Sequence, residues 1–241
     1  MNPYLYLIID LLSFSVPFIY SFERKRIHFI QYWKPYFGAL LLVGSIFIIW
    51  DVFFTIWGVW GFNDDYLIGW RIATLPIEEW LFFLLIPYAS NFIHYALVYF
   101  LPRFGLPKSV ARFLPVVFGV VALSIAIMHF DRLYTVVSFG LFSILMFLQT
   151  YYRPPIFRTY MLSFLLILIP FLVVNSWLTG SFTNEPIVFY NNTKNLGIRL
   201  GTIPVEDFFY CFSLLYSNIL IFEYLKKRFG YQQIDSGEPT E

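Results

Sequence analysis

Two pairs of adjacent carboxylates, Glu78-Glu79 and Glu206-Asp207, are the residues of this 241-residue chain best placed to move protons. Each pair closes a stretch that the chain writes twice. The first copy is Gly69-Trp70-Arg71-Ile72-Ala73-Thr74-Leu75-Pro76-Ile77-Glu78-Glu79, and the second is Gly197-Ile198-Arg199-Leu200-Gly201-Thr202-Ile203-Pro204-Val205-Glu206-Asp207. Every position is offset by 128 residues. Gly, Arg, Thr, Pro and the first Glu are identical, and Asp207 stands for Glu79 as like for like. Chance would match about one position in eleven at average residue usage, so the two copies form a true internal repeat.

The motif carries a structural reading and a chemical one. Proline is favoured in the first turn of a helix, where its missing N–H has no partner anyway, so Pro76 and Pro204 mark helix starts. Carboxylates in that first turn complement the helix dipole, and one copy would need no further explanation. Two copies, each with two carboxylates and an arginine five residues before the proline, favour chemistry. Successive helical residues point about 100° apart, so one member of a pair can face the bundle while its neighbour faces the loop. Burying an ionised carboxylate costs several kcal/mol, and the usual relief is to keep the proton. A neutral carboxylic acid in an apolar, aromatic-lined site is a general acid. Arg71 and Arg199 pull the other way, toward the ionised form. A pair can therefore divide the labour between donor and acceptor, and the sequence leaves open which member takes which part.

The elements that must position these groups are membrane helices. The chain is 59% hydrophobic and 13% charged, with a mean hydropathy of +0.68. A soluble domain is about half apolar and a quarter charged. Seven stretches, near 4–22, 37–57, 76–100, 113–129, 133–151, 160–178 and 203–223, are apolar and long enough to cross ~30 Å of hydrocarbon. The first, starting Met1-Asn2-Pro3, lacks a basic leader and a small-residue cleavage site and is expected to be retained. Asp10 within it should face the bundle and not lipid. Basic residues concentrate in alternate loops: Arg24, Lys25, Arg26 and Lys34; Arg103, Lys108 and Arg112; Arg153 and Arg158; and Lys226, Lys227 and Arg228. The positive-inside rule then puts the N-terminus outside and the C-terminus in the cytoplasm of a multi-pass cell-membrane protein. Arg71, Arg132, Lys194 and Arg199 fall on the outer side, with both motifs.

The expected fold is thus all-α and polytopic, seven transmembrane helices in a parallel repeat of three plus one plus three. Its units are residues 1–102, a linking helix over 103–131, a second three-helix unit over 132–229, and a disordered tail over 230–241. The long loops before each motif share Asn63 and Asn191 at the same offset.

Other chemistries fit less well. His28, His94 and His129 are scattered, without the clusters of a membrane di-iron oxygenase. No lysine sits mid-helix to carry a retinal Schiff base. There is no GxGxxG or Walker sequence, and Cys211 is the only cysteine. Asn63-Asp64-Asp65 lacks the spaced second aspartate of a magnesium-diphosphate site, which counts against a prenyltransferase or carotenoid elongase. A parallel repeat is also the plan of SWEET-like small-molecule transporters, but their Pro-Gln pair does not occur here. No cofactor, metal or nucleic-acid partner is evident.

Pro-Ile-Glu-Glu at 76–79 and Pro-Val-Glu-Asp at 204–207, each opening a transmembrane helix after Gly-x-Arg-x-x-Thr, resemble the integral-membrane lycopene cyclase domain family in its fused form. The resemblance covers nearly the whole chain. It implies cyclisation of the ψ-ends of lycopene to β-ionone rings, through γ-carotene to β-carotene, without net redox change. It also implies a bilayer setting and contact with other carotenoid enzymes. Carried over to this sequence, it makes Glu78, Glu79, Glu206 and Asp207 the candidates for proton transfer. Arg71 and Arg199 are added as their charge partners. Trp80, Phe82, Phe208 and Tyr210 are candidates to wall the substrate cavity, where aromatic faces would stabilise a carbocation.

Overall fold

The computed structural model describes residues 2–101 and 103–231, so most of the expected disordered tail lies outside the described residues. Seven helices follow one another: α1 (Leu5–Ser21), α2 (Trp33–Ile56), α3 (Ile77–Phe100), α4 (Lys108–Met128), α5 (Leu133–Tyr152), α6 (Phe157–Leu178) and α7 (Val205–Arg228). The six from α2 to α7 are long and apolar enough to cross a membrane, and α1 is a shorter apolar helix of 17 residues. The protein is therefore all-α and polytopic.

Three helices begin earlier than their apolar runs suggested, α6 at Phe157 by the least. α2 starts at Trp33, with Pro35 in its first turn, where a missing N–H costs nothing. α4 starts at Lys108 directly after Pro107, taking in Arg112. α7 runs on to Arg228, and its last turn holds Lys226, Lys227 and Arg228, the sign that suits a helix C-terminus.

α1 packs on α3 as α5 packs on α7, while α2 lies against α7 and α3 against α6. α4 packs mainly on α5. Short strands interrupt the helical plan. The repeated motif folds each time as a tight hairpin, β2 (Arg71–Ile72) with β3 (Leu75–Pro76), and β5 (Arg199–Leu200) with β6 (Ile203–Pro204). Two-residue turns that match strand twist need positive φ. Gly201 adopts φ 63° without steric cost, whereas Ala73 and Thr74 are held at 48° and 75°. Hairpin and helix are then tied together: the Ile77 N–H donates to the Trp70 carbonyl at 2.9 Å, and the Val205 N–H to the Ile198 carbonyl at 3.0 Å.

The third strand pair locates the symmetry between the halves. β1 (Trp60–Phe62) runs antiparallel to β4 (Val188–Tyr190), with Gly61 opposite Phe189. These two residues are repeat mates, so the relating axis passes between them. The Phe189 ring packs over this crossing, and a Cβ on residue 61 would sit 2.5 Å from its tip unless the ring moved. A second point on the axis lies where α3 meets α7. There the Tyr95 hydroxyl donates to Glu223 at 2.7 Å, again between mates 128 residues apart.

Candidate active site

The axis and the hairpins set both motifs at one end of the bundle, where α1, α3, α5 and α7 all begin. Between them lies a cavity walled by residues of both halves. Glu79, in the first turn of α3, and Asp207, at the mate position in α7, both line it. Both are buried.

Each of these carboxylates is held by a tyrosine from the start of a neighbouring helix. The Tyr6 hydroxyl donates to Glu79 Oε2 at 2.6 Å, and the Tyr134 hydroxyl to Asp207 Oδ1 at 2.6 Å. Tyr6 and Tyr134 are themselves repeat mates. Asp207 receives one phenol more, from Tyr190 on β4 to Oδ2 at 2.9 Å. Burial, and then the Asp207 charge, hold the Tyr190 phenol well above the usual tyrosine range, so it stays a donor at neutral pH.

The first carboxylate of each pair does something else. Glu78 Oε1 accepts the Ile68 N–H at 2.7 Å, and Glu206 Oε1 accepts the Leu196 N–H at the same 2.7 Å, with the Thr135 hydroxyl also donating to Glu206 at 2.6 Å. Neither lines the cavity. The helical turn of about 100° between neighbours separates the two jobs: Glu78 and Glu206 lace the preceding loop to the helix, and Glu79 and Asp207 face inward.

The guanidinium groups of the two expected charge partners hydrogen-bond within their own loops. Arg71 bonds the Thr74 carbonyl at 2.9 Å and Asp64 at 2.6 Å, closing the hairpin and its own loop. Arg199 likewise bonds the Thr202 carbonyl and Asn192. The tight turn folds each guanidinium back along its hairpin, so neither hydrogen-bonds a motif carboxylate. Arg199 does lie over the Tyr190 ring, 5.7 Å from its centre, and so touches the Asp207 group at one remove.

Of the four candidate aromatics, Phe82 and Tyr210 line the cavity and Trp80 and Phe208 do not. Trp80 instead donates its indole N–H to the Ile72 carbonyl at 3.2 Å, steadying the hairpin. Phe208 packs on Phe171, itself a wall residue, with ring centres 5.1 Å apart. Sequence reasoning missed several wall residues. Tyr6 and Tyr134 could have been found by running the 128-residue offset back beyond the motif. Trp60, Tyr190 and Asp51 show no such match, and their only signal was their residue type, aromatic or carboxylate. Asp10 is buried, as expected, with neither oxygen hydrogen-bonded among the described residues.

Among the described residues no cation lines the cavity, and its walls are otherwise mostly aromatic or aliphatic. The two seams beside it differ. Val43 and Leu214 are buried where α2 meets α7, but their mates Phe171 and Ile86 are only half-buried where α6 meets α3.

An apolar helical bundle with paired acids and aromatic rings around one cavity is the architecture of a polytopic membrane protein with a buried polar site. The lycopene cyclase family model matches residues 3–102 and 131–225, and the chain belongs to that family, the carotenoid cyclases. The two matched blocks begin 128 residues apart, the offset of the motif repeat. No curated protein and no solved structure matches the chain.

Proposed function

We propose that the protein cyclises the ψ-ends of lycopene to β-ionone rings, through γ-carotene to β-carotene, by proton transfer in one composite site. The observation that carries this reading is that Glu79 and Asp207, one from each half, face the same aromatic-walled cavity. Protonation of the terminal double bond gives a tertiary cation, the neighbouring double bond closes the ring, and loss of a ring proton ends the reaction. Such a path needs an acid, a base, exclusion of water and aromatic faces. Glu79 and Asp207 supply the proton transfers, and Trp60, Phe82, Tyr134 and Tyr210 supply rings around the cation. The net change is an isomerisation and consumes no redox equivalents.

The half-buried Phe82, Ile86 and Phe171 support entry of one end of the substrate from lipid between α3 and α6. The units over 1–102 and 132–229 act as two walls of one chamber, joined by the linking helix. The excess of Lys and Arg at the far end of the bundle supports a cell-membrane orientation with the N-terminus outside.

Expression in lycopene-accumulating cells tests the reading. Red lycopene is expected to be replaced by mono- and bicyclic carotene, and unchanged lycopene with the protein present in the membrane would overturn it.

A further inference from the structure

The cavity holds a third carboxyl that the duplicated motif does not contain. Asp51, near the end of α2, is 1% exposed and lines the same wall as Glu79. Its repeat mate is Thr179, so the second half has no counterpart. Asp51 Oδ1 accepts the Trp60 indole N–H at 2.5 Å and the Thr55 hydroxyl at 3.4 Å. Asp51 Oδ2 is buried and meets no conventional donor among the described residues. Its neighbour in the same cavity lining is the Glu79 carboxyl.

An ionised carboxylate only accepts, so two neighbouring carboxyls can hydrogen-bond to each other only when one of them carries a proton. Like charges in contact in a medium of low dielectric also oppose joint ionisation. Asp207 accepts one phenol more than Glu79 does. Both of its oxygens already receive phenol protons, from Tyr134 and Tyr190, the arrangement that suits an anion.

We infer that Asp51 is a positioning residue for the reaction's acid: it and Glu79 hold one proton between them, which makes their side of the cavity the donor and Asp207 the acceptor. The inference rests on the cyclase reading for the fate of that proton. The pair gives it to the terminal double bond, whose π electrons form the new C–H bond and leave a tertiary cation. The neighbouring π bond then forms the ring C–C bond and passes on the positive charge. Asp207 takes a proton from the adjacent ring carbon, and the electrons of that C–H bond become the ring double bond. Asp207 now carries the proton that the pair has lost, and its return across the cavity resets the site. No oxidant or reductant enters. One departure from two-fold symmetry thereby gives two equivalent stations unequal roles.

Infrared spectroscopy of the full chain in lipid nanodiscs tests the shared proton without reference to turnover. The wild-type protein is expected to show a protonated-carboxyl band that shifts in deuterium oxide and that both Asp51→Asn and Glu79→Gln remove, while Asp207→Asn leaves it in place. A buried Asp10 band is common to all of them and cancels in the differences. Conversion of lycopene should fall by about 100-fold or more in Asp51→Asn, the scale of a general-acid contribution. An Asp51→Asn protein that keeps every carboxyl band and the full rate of wild type overturns the inference. Should Asp51→Asn not accumulate, Trp60→Phe carries the test: loss of the donor to Asp51 shifts the band that Glu79→Gln removes, and an unmoved band overturns it. An intact shared band in a wild-type protein that leaves lycopene uncyclised would instead overturn the cyclase reading alone.

Discussion

Glu79 and Asp207 hold the same place in two repeats, 128 residues apart, and face one cavity. A single chamber that needs both makes a sharp distinction from two independent sites. Glu79→Gln and Asp207→Asn are each expected to abolish formation of the first ring as well as the second. Half-activity in both single variants, measured as carotenoid profile per unit of membrane-inserted protein, would show two separate sites instead.

Glu78 and Glu206 predict a different outcome. Their Oε1 atoms each accept a loop N–H at 2.7 Å, and the amide oxygen of glutamine can do the same. Glu78→Gln and Glu206→Gln should therefore retain most of the activity. Alanine leaves the loop donor without its partner, at a cost of about 1–3 kcal/mol. Thermal inactivation of Glu78→Ala and Glu206→Ala in membranes should come at lower temperature than in the glutamine variants.

The phenols test the asymmetry between the two carboxylates. Tyr134→Phe and Tyr190→Phe each delete a hydrogen bond to Asp207, and bonds to a charged group are worth about 1.5–3 kcal/mol. The rate should fall by about 10- to 100-fold in either variant if that energy is expressed in the transition state. The double variant should fall further, because Asp207 then has neither donor. Initial rates of cyclic carotene formation in isolated membranes give the comparison.

Arg71 and Arg199 should separate by activity. Arg71 is paired with the exposed Asp64, and exposed ion pairs contribute about 0.2–1 kcal/mol. Arg71→Ala should cost little beyond a slightly looser hairpin. Arg199 lies over the ring of Tyr190, which in turn donates to Asp207. Arg199→Ala should lower the rate more than Arg71→Ala does, and equal rates would remove Arg199 from the Asp207 group.

Gly61 offers a test of the fold alone. An added Cβ would meet the Phe189 ring at 2.5 Å, so Gly61→Ala should weaken the β1–β4 pairing and lower the membrane yield. Phe189→Ala in the same chain should restore it. Failure of that rescue would mean that the backbone, and not the ring, demands glycine.

How much of this could be read from the chain follows a physical divide. Repetition exposed the motif, because identical residues at one fixed offset need no structure to be seen. The same offset joins Leu5-Tyr6 to Leu133-Tyr134, a match of two residues too short to stand out in so apolar a chain. Rotation about a helix axis was not legible: whether Glu78 or Glu79 faces inward depends on how α3 packs against its neighbours, and the sequence pattern around them is apolar on every side. The hydrogen bonds of the arginines were hidden for a related reason. Their distance from the carboxylates along the chain is short, but a two-residue turn reverses the backbone and folds the guanidinium onto the hairpin. Asp51 was hidden by symmetry itself, since a residue with threonine as its counterpart leaves no mark in a comparison of the halves.

Gly61 against Phe189, and Tyr95 against Glu223, are contacts that an assembly of two identical subunits could not make. Duplicating the second half alone would press one phenylalanine into another at the strand crossing and set glutamate beside glutamate inside the bundle. Covalent fusion frees the residues on the dyad from having to be their own complement. A single polypeptide can therefore place hydrocarbon ring against bare backbone, and phenol against acid, where a homodimer would be confined to self-matching pairs.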